Sequence, residues 1–186
     1  HILGDIINAQ PVYVKAPFAE YDDAGYLAYK TANASRTPMV FAAANDGMLH
    51  AFYAGTSIVD PNGGKEAWAF IPTMVLPNLY KLASENYAAQ HVYSVDGTPT
   101  VGDVYDTANT TWKTILVGGL NKGGQGYYAL DITNPTAPKA LWEFKHSSTC
   151  YDSTMASTRY ADCHIGYTFS NPIISKLKGG ADEGRW

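Results

Sequence analysis

Charged residues are scarce in this chain, and neither sign dominates. They make up 16% of the 186 residues, whereas roughly 25% is usual for globular proteins. The 13 Lys and Arg oppose 17 Asp and Glu, so the net charge is −4. Because no basic excess is available to neutralise phosphates, the composition argues against nucleic-acid binding.

Long hydrophobic runs and cysteines are also missing or few. No stretch of about 18 apolar residues occurs, so the sequence predicts no membrane span. The two cysteines, Cys150 and Cys163, lie in a polar segment, and their spacing fits no CxxC redox or zinc pattern. The chain starts at His1 without Met or a signal peptide, which indicates processing or excision from a longer protein.

Motifs of common active sites are absent too. The stretch from Gly124 to Ala129 fits the dinucleotide-binding pattern GxGxxA, which requires a helix next. The residues after it continue as a predicted strand that ends at Pro135, so we interpret the stretch as a turn. Neither HExxH nor GxSxG occurs. His50 lies in a predicted strand, where we interpret it as a hydrogen-bonded structural residue. Nothing positive supports catalysis, and we predict that the chain is not an enzyme.

The residues that are abundant favour β structure. Apolar residues make up 46% of the chain and aromatic residues 13%, including 14 Tyr. The 17 Gly and 10 Pro supply many turns. A chain rich in strand-forming aromatic and β-branched residues, with frequent turns, is typical of an all-β protein.

One pattern occurs twice along the chain. A short apolar strand leads through small residues into an Asn/Gly-rich turn, then into a strand that ends in Ala and a large apolar residue, and last into a strand with a tryptophan. The first copy spans Pro38 to Phe70 and the second Thr114 to Phe144. A strand that opens on proline is predicted before each copy, and a third such strand is predicted at 172–177.

Tandem four-stranded antiparallel units predict the blades of a β-propeller. We expect an all-β chain of about two blades plus the start of a third, with Trp68 and Trp142 as equivalent blade-packing anchors. A propeller closes with at least about four blades, so the ring is expected to be incomplete. The predicted segments are blade one at 11–72, a short helical insertion at 73–91, blade two at 99–144, a cysteine-containing insertion at 145–164 and the start of blade three at 165–186.

The helical insertion is predicted from spacing. Leu76, Leu79, Tyr80 and Ala83 fall on one face of a helix. Pro77 suits the first turn of such a helix.

Six motifs in order carry a family resemblance. They are Ala44-Asn-Asp-Gly-Met-Leu-His-Ala-Phe52, Trp68-Ala-Phe-Ile-Pro72, Val95-Asp-Gly-Thr-Pro99, Trp112-Lys-Thr-Ile-Leu-Val-Gly-Gly119, Gly126-Tyr-Tyr-Ala-Leu-Asp131 and Leu141-Trp-Glu-Phe144. Gly4-Asp-Ile-Ile-Asn8 and Ile165-Gly-Tyr-Thr168 extend the match. In this order the chain resembles the C-terminal propeller of the PilC/PilY proteins of type IV pili.

The resemblance implies a secreted protein of a Gram-negative bacterium, located at the cell surface, the pilus tip or the outer membrane. Members of the family promote pilus assembly by countering retraction, sit at the pilus tip with minor pilins, and mediate adhesion to surfaces or host cells. The resemblance therefore implies type IV pilus biogenesis and adhesion through protein binding, with no surface ligand specified.

The family's propeller often carries a calcium loop of the pattern DxDxDGxxD, and this chain lacks it. Asp103, Asp106 and Asn109 come nearest to it, and we interpret them as residues of a solvated turn, since Ca²⁺ needs several oxygen ligands at alternating positions. We predict no metal or cofactor in this stretch.

A secreted location also bears on the cysteines. In an oxidising environment a disulfide between Cys150 and Cys163 is favoured. A zinc site that adds His146 and His164, and free thiols, stay open as alternatives.

Two other functions stay open. The hairpin-plus-Trp unit also resembles the repeats of quinone-dependent dehydrogenases, but their frequent adjacent Cys-Cys pair is missing here. A scaffold propeller of outer-membrane assembly would share the fold without the Val95-Asp-Gly and Trp112-Lys-Thr signatures.

Overall fold

The computed structural model describes residues 3–147, 161–178, 184 and 186, and it contains two consecutive antiparallel sheets. The strands of the first sheet follow chain order: β1 (Val12–Val14), β2 (Met39–Ala43), β3 (Leu49–Tyr53) and β4 (Glu66–Phe70). Those of the second do the same: β5 (Thr100–Asp106), β6 (Thr111–Gly119), β7 (Gly126–Asp131) and β8 (Lys139–His146). The predicted all-β architecture of four-stranded antiparallel units is confirmed.

A fifth strand extends the second sheet. β9 (Ala161–Asp162) pairs with the end of β8 in parallel, Lys145 opposite Ala161 and His146 opposite Asp162. The sequence pattern gave no sign of this strand, because two residues are too short for any periodicity.

The repeat in the sequence is also a repeat in strand register. Ala51 lies opposite Trp68 on β4, and Ala129 lies opposite Trp142 on β8. In both sheets the register shifts immediately after that alanine. The β2–β3 turn is tight because Gly47 adopts a φ of 92°, which other residues rarely adopt.

The core lies between the two sheets. Each strand turns alternate side chains toward the neighbouring sheet, so apolar residues of both sheets interdigitate. Fully buried members include Met39, Phe41, Leu49, Leu116, Tyr128, Leu130 and Ile132.

The helical insertion differs from the prediction. A 3₁₀ helix spans Thr73–Ala83, and residues 84–91 are not helical. Because a 3₁₀ helix has 3.0 residues per turn, the α-helical spacing does not define its buried face. Val75 is buried, whereas Leu76 and Tyr80 are 50% and 73% exposed. A short α-helix, α1 (Tyr26–Ala32), lies in the β1–β2 connection, for which the sequence predicted no helix.

The strand predicted at 172–177 is wrong. Residues 171–178 form no strand, and no strand of a third sheet is present among the described residues to pair with them. Ile174 instead packs on Gly102 of β5, where an added Cβ would lie 3.3 Å from it. The predicted segment limits themselves stay predictions.

Candidate functional site

Turns that carry the sequence motifs meet at one end of the two sheets. In antiparallel sheets successive connections alternate between ends. The segment before β1, the β2–β3 turn, the β4–β5 connection and the β6–β7 turn therefore share one end, which we call the motif junction. Its residues are 4–8, 45–47, 94–97 and 119–121.

Asn45 joins three parts of the motif junction. Its backbone N–H donates to Asp5 O at 2.9 Å, and its side-chain amide donates to Asp5 Oδ2 at 2.8 Å. Its side-chain oxygen accepts the backbone N–H of Ser94 at 3.0 Å. Asn45 is 1% exposed, so these bonds satisfy a buried amide.

Asp96 makes the second set of bonds. Its carboxylate accepts the backbone N–H of Asn8 at 3.1 Å and the side-chain amide of Asn8 at 2.6 Å. Its carbonyl accepts the side-chain amide of Asn121 at 2.7 Å. Asp96 is 1% exposed, and it links the β4–β5 connection to the segment before β1 and to the β6–β7 turn.

His50 lies beside this junction, fully buried on β3. Its Nδ1 is 2.6 Å from Glu66 Oε1, and its Nε2 is 3.1 Å from each carboxylate oxygen of Asp46. The prediction of a hydrogen-bonded histidine is confirmed. Burial by itself lowers the pKa of His50, but the bonds to Asp46 and Glu66 outweigh it and raise the pKa above 6.5.

The two repeat tryptophans hold equivalent positions in different surroundings. Trp68 packs on Phe41 with ring centroids 5.7 Å apart, and its indole N–H donates to Pro135 O in the β7–β8 turn at 2.8 Å. Trp142 is 37% exposed and lines an open cavity of about 900 Å³. Trp68 thus bridges the two sheets, while the anchoring role of Trp142 stays a prediction.

The cavity covers the face of the second sheet that points away from the first. Strand residues and the segment after Pro172 both line it. Because its walls are mainly apolar, this face offers packing surface rather than polar chemistry. Its lining includes Ile115, Val117, Tyr127, Leu141, Phe144, Ile173 and Leu177.

The three residues nearest to a calcium loop do not converge. Asp103 and Asp106 are three apart on β5, so their side chains point to opposite faces. Asp106 accepts Lys113 Nζ and the Asn109 side-chain amide, each at 2.7 Å. The hydrogen bond from Lys113 is the main reason why the pKa of Asp106 is well below its usual range.

Asp103 belongs instead to a buried network that we did not predict from the sequence. It accepts the hydroxyls of Tyr26 and Thr114 at 2.7 and 2.6 Å. Arg36 Nη1 donates to Thr114 Oγ1 at 2.8 Å, and the Tyr29 hydroxyl lies 2.6 Å from the same oxygen. The network fixes the β1–β2 connection to the second sheet. Its only sequence signal was polar residues at strand positions that face the core.

The cysteine prediction lies partly outside the described residues, because Cys150 is not among them. The pairing of Cys150 with Cys163 stays a prediction. In the part of the chain that the structure describes, no three His, Cys, Asp or Glu side chains are grouped to hold a metal ion. None of the described helices has the length and apolarity to cross a membrane.

The PilY1 β-propeller domain model matches residues 3–183. The chain belongs to this family. A type IV pilus biogenesis factor PilY1 homologue of Xylella fastidiosa (strain Temecula1 / ATCC 700964) is 40% identical over 96% of the chain. Type IV pilus biogenesis factor PilY1 of Pseudomonas aeruginosa (strain UCBPP-PA14) is 38% identical over 96%. The family resemblance of the six motifs is thus confirmed.

The chain spans only 13% and 14% of the lengths of these two PilY1 relatives. The crystal structure of the Pseudomonas aeruginosa PilY1 C-terminal domain has a TM-score of 0.60 to the chain at 29% identity. That likeness covers 89% of the chain and 29% of the crystallised one.

Proposed function

We propose that this chain forms part of the propeller of a type IV pilus biogenesis factor, and that it acts by binding proteins rather than by catalysis. The family match over residues 3–183, with relatives named as type IV pilus biogenesis factors, carries the proposal. The partners we propose are minor pilins at the pilus tip, and the protein also adheres to surfaces or host cells. It is secreted and acts at the cell surface.

The use of the polar motif residues supports binding over catalysis. Asn45 and Asp96 are buried and bonded to other parts of the motif junction. His50 is 0% exposed and lies between two carboxylates. A general acid or base must reach the proton that it transfers. Side chains that join sheets in the interior cannot reach a substrate.

The β3–β4 loop supplies a surface suited to protein contact. Ile58 is 105% exposed and Val59 81% exposed. The Asp60 carboxylate accepts the backbone N–H groups of Thr56 and Asn62, each at 2.9 Å, and so fixes the loop. An apolar pair on an ordered loop loses little conformational entropy when a partner covers it.

The biogenesis role is tested by deleting the gene and restoring it as wild type or as the double variant Ile58→Ser, Val59→Ser. The deletion should abolish sheared surface pili and twitching, and wild type should restore both. The double variant should restore them at most partly, since it removes the apolar contact without touching the core. Leu27→Ser is the matched control, because Leu27 is likewise an exposed apolar residue, at 76%, but lies on α1 and outside the β3–β4 loop.

Unchanged pili in the deletion strain would show that the biogenesis role is wrong. Full restoration by the double variant would show that the β3–β4 loop is not the contact. Adhesion is tested separately, by the binding of beads coated with purified full-length protein to host cells and to plastic. Binding no greater than that of albumin-coated beads would contradict the adhesin role alone.

A further inference from the structure

Both ring nitrogens of the buried His50 face carboxylates. Nδ1 lies 2.6 Å from Glu66, and Nε2 lies 3.1 Å from both oxygens of Asp46. An ionised carboxylate can only accept hydrogen bonds. The geometry is therefore satisfied only when both ring nitrogens carry protons, which makes His50 an imidazolium.

In the part of the chain that the structure describes, the neighbouring strands place apolar residues beside His50. In register with it, β2 presents Ala42 and β4 presents Ala69, and the Phe52 ring on β3 stacks on it at 5.9 Å. Among the described residues, the charged groups that face the ring include Asp46 from the β2–β3 turn and Glu66 from β4. The charge on His50 thus offsets two partly buried negative charges.

Asp46 connects His50 to the segment before β1. Its Oδ2 accepts the Gly4 N–H at 2.9 Å, and its Oδ1 accepts the Met48 N–H at 3.2 Å. The backbone fits closely here, because a Cβ on Gly4 would lie 2.6 Å from Asp46 N. One carboxylate therefore links the His50 ring to the Gly4 amide.

We propose that the proton on His50 is a pH-dependent latch, which holds the Gly4 end of the segment 3–8 on the first sheet while His50 is charged and releases it when His50 becomes neutral. A neutral ring has one N–H and one lone pair, so one carboxylate faces a lone pair. The shorter contact, to Glu66, keeps the proton. Asp46 is then repelled and no longer fixes Gly4.

The direction of the pH effect follows from the sign of the shift. A histidine whose pKa is raised by folding stabilises the fold below its unfolded value, and this contribution is lost as pH rises through the raised value. Since the pKa of His50 is raised above 6.5, the latch is closed in mildly acidic surroundings and opens on the alkaline side. Burial by itself raises the pKa of Asp46, but the hydrogen bonds from His50 and Gly4 outweigh it and lower the pKa. Asp46 therefore stays ionised in mildly acidic solution, and the latch stays closed there.

The latch is tested by hydrogen exchange with mass spectrometry on the full-length protein from pH 6 to 9. Rates are corrected for intrinsic exchange, and fragmentation localises the Gly4 amide. In wild type, protection of Gly4 should fall about tenfold as pH rises, while peptides of β6 should not change. His50→Gln should show weak protection of Gly4 at every pH.

Two variants separate this latch from other causes. Glu66→Gln removes one charge that stabilises the imidazolium, so the wild-type transition should move to lower pH. His91→Gln is the control, because His91 bonds Asp5 at 2.9 Å in the same junction but does not contact Asp46 in the described structure. The proposal would be overturned if the protection of Gly4 in wild type did not change with pH. It would also be overturned if the transition in Glu66→Gln stayed at the wild-type pH, or if His91→Gln abolished the transition. If His50→Gln does not fold, the Glu66→Gln shift decides alone.

Discussion

Two motif glycines contact each other in the motif junction. A Cβ on Gly97 would lie only 2.4 Å from the carbonyl oxygen of Gly119, a distance that real Cβ atoms do not adopt. The glycine of one motif is thus required by the backbone of another, 22 positions further along the chain. A single side chain at Gly97 would push the two turns apart.

The expected cost of Gly97→Ala is roughly 1–3 kcal/mol in the free energy of unfolding, because backbone must shift to admit the methyl group. Urea unfolding followed by tryptophan fluorescence measures it. Gly166→Ala is the control, since nothing lies within 4 Å of the added Cβ there. Equal midpoints for the two variants would show that the close approach does not constrain the junction.

The two tryptophans give a second prediction for single residues. Trp68→Phe keeps an aromatic ring but leaves Pro135 O without its donor at 2.8 Å. We therefore expect the free energy of unfolding to fall by about 1–2 kcal/mol. Trp142→Phe in the same 186-residue chain should cost less, because no acceptor among the described residues contacts its indole N–H. Thermal unfolding measures the stability of the two variants. A larger loss of stability in Trp142→Phe than in Trp68→Phe would contradict the bridging role of Trp68.

Among the elements, the β1–β2 connection is held by polar contacts in addition to the packing of Tyr21 and Tyr26 on Trp112. Tyr26 from α1 donates to Asp103 on β5, and Arg36 donates to Thr114 on β6. Burial is the main cause that raises the pKa of Tyr26, and the bond to Asp103 adds to it, so its hydroxyl stays protonated and donates. An element fixed in this way depends on each donor meeting an acceptor.

Asp103→Asn should therefore destabilise the chain by roughly 1–3 kcal/mol, although the side chains have the same shape. The amide NH₂ would meet a hydroxyl that now donates, and Arg36 would lose a nearby negative charge. Chemical denaturation measures the change. The control is Asp22→Asn, an exposed site in the same connection, and we expect it to lie within about 0.5 kcal/mol of wild type. A neutral result for Asp103→Asn would mean that the network does not hold α1.

The cysteine-containing insertion is the second element with a prediction. Peptide mapping of the full-length protein without reduction should recover Cys150 linked to Cys163. In the chain-entropy model, closing a loop of this length contributes roughly 3 kcal/mol, so the double Cys→Ser variant should be cleaved faster by protease within 147–164. Two free thiols, or one zinc ion per chain, would contradict the pairing.

The molecule as a whole is asymmetric, because one face of the second sheet packs on the first sheet and the opposite face is open. Leu141 is 39% exposed and Ile173 is 88% exposed along the open cavity. Apolar patches of this kind favour association. The family match to a β-propeller agrees with a sheet that has two apolar faces.

The isolated 186-residue chain should therefore self-associate at micromolar concentrations. Leu141→Lys together with Ile173→Lys should lower the associated fraction severalfold, because buried charges oppose contact. Leu27→Lys on α1 serves as the control. Sedimentation velocity measures the fractions, and a wild-type chain that stays monomeric throughout would contradict the prediction.

The sequence by itself determined the features that depend on local pattern. The spacing of short apolar runs, the Asn45-Asp46-Gly47 turn and the recurring tryptophans predict two antiparallel units, because turn conformation and strand alternation are local properties. Six motifs in order determined the family. Neither α1 nor the 3₁₀ form of the helix at Thr73–Ala83 could be predicted, since short helices depend on tertiary contacts more than on propensity.

Only the tertiary structure decided what the motif residues do. Asp96 bonds Asn8, 88 positions away, and Asp103 bonds Tyr26, 77 positions away. No periodicity links residues so far apart in sequence, because their proximity arises when the segment before β1 and α1 pack on parts of the chain that come much later. The raised pKa of His50 is likewise a property of the fold, since it requires a turn and a neighbouring strand to place a carboxylate beside each ring nitrogen.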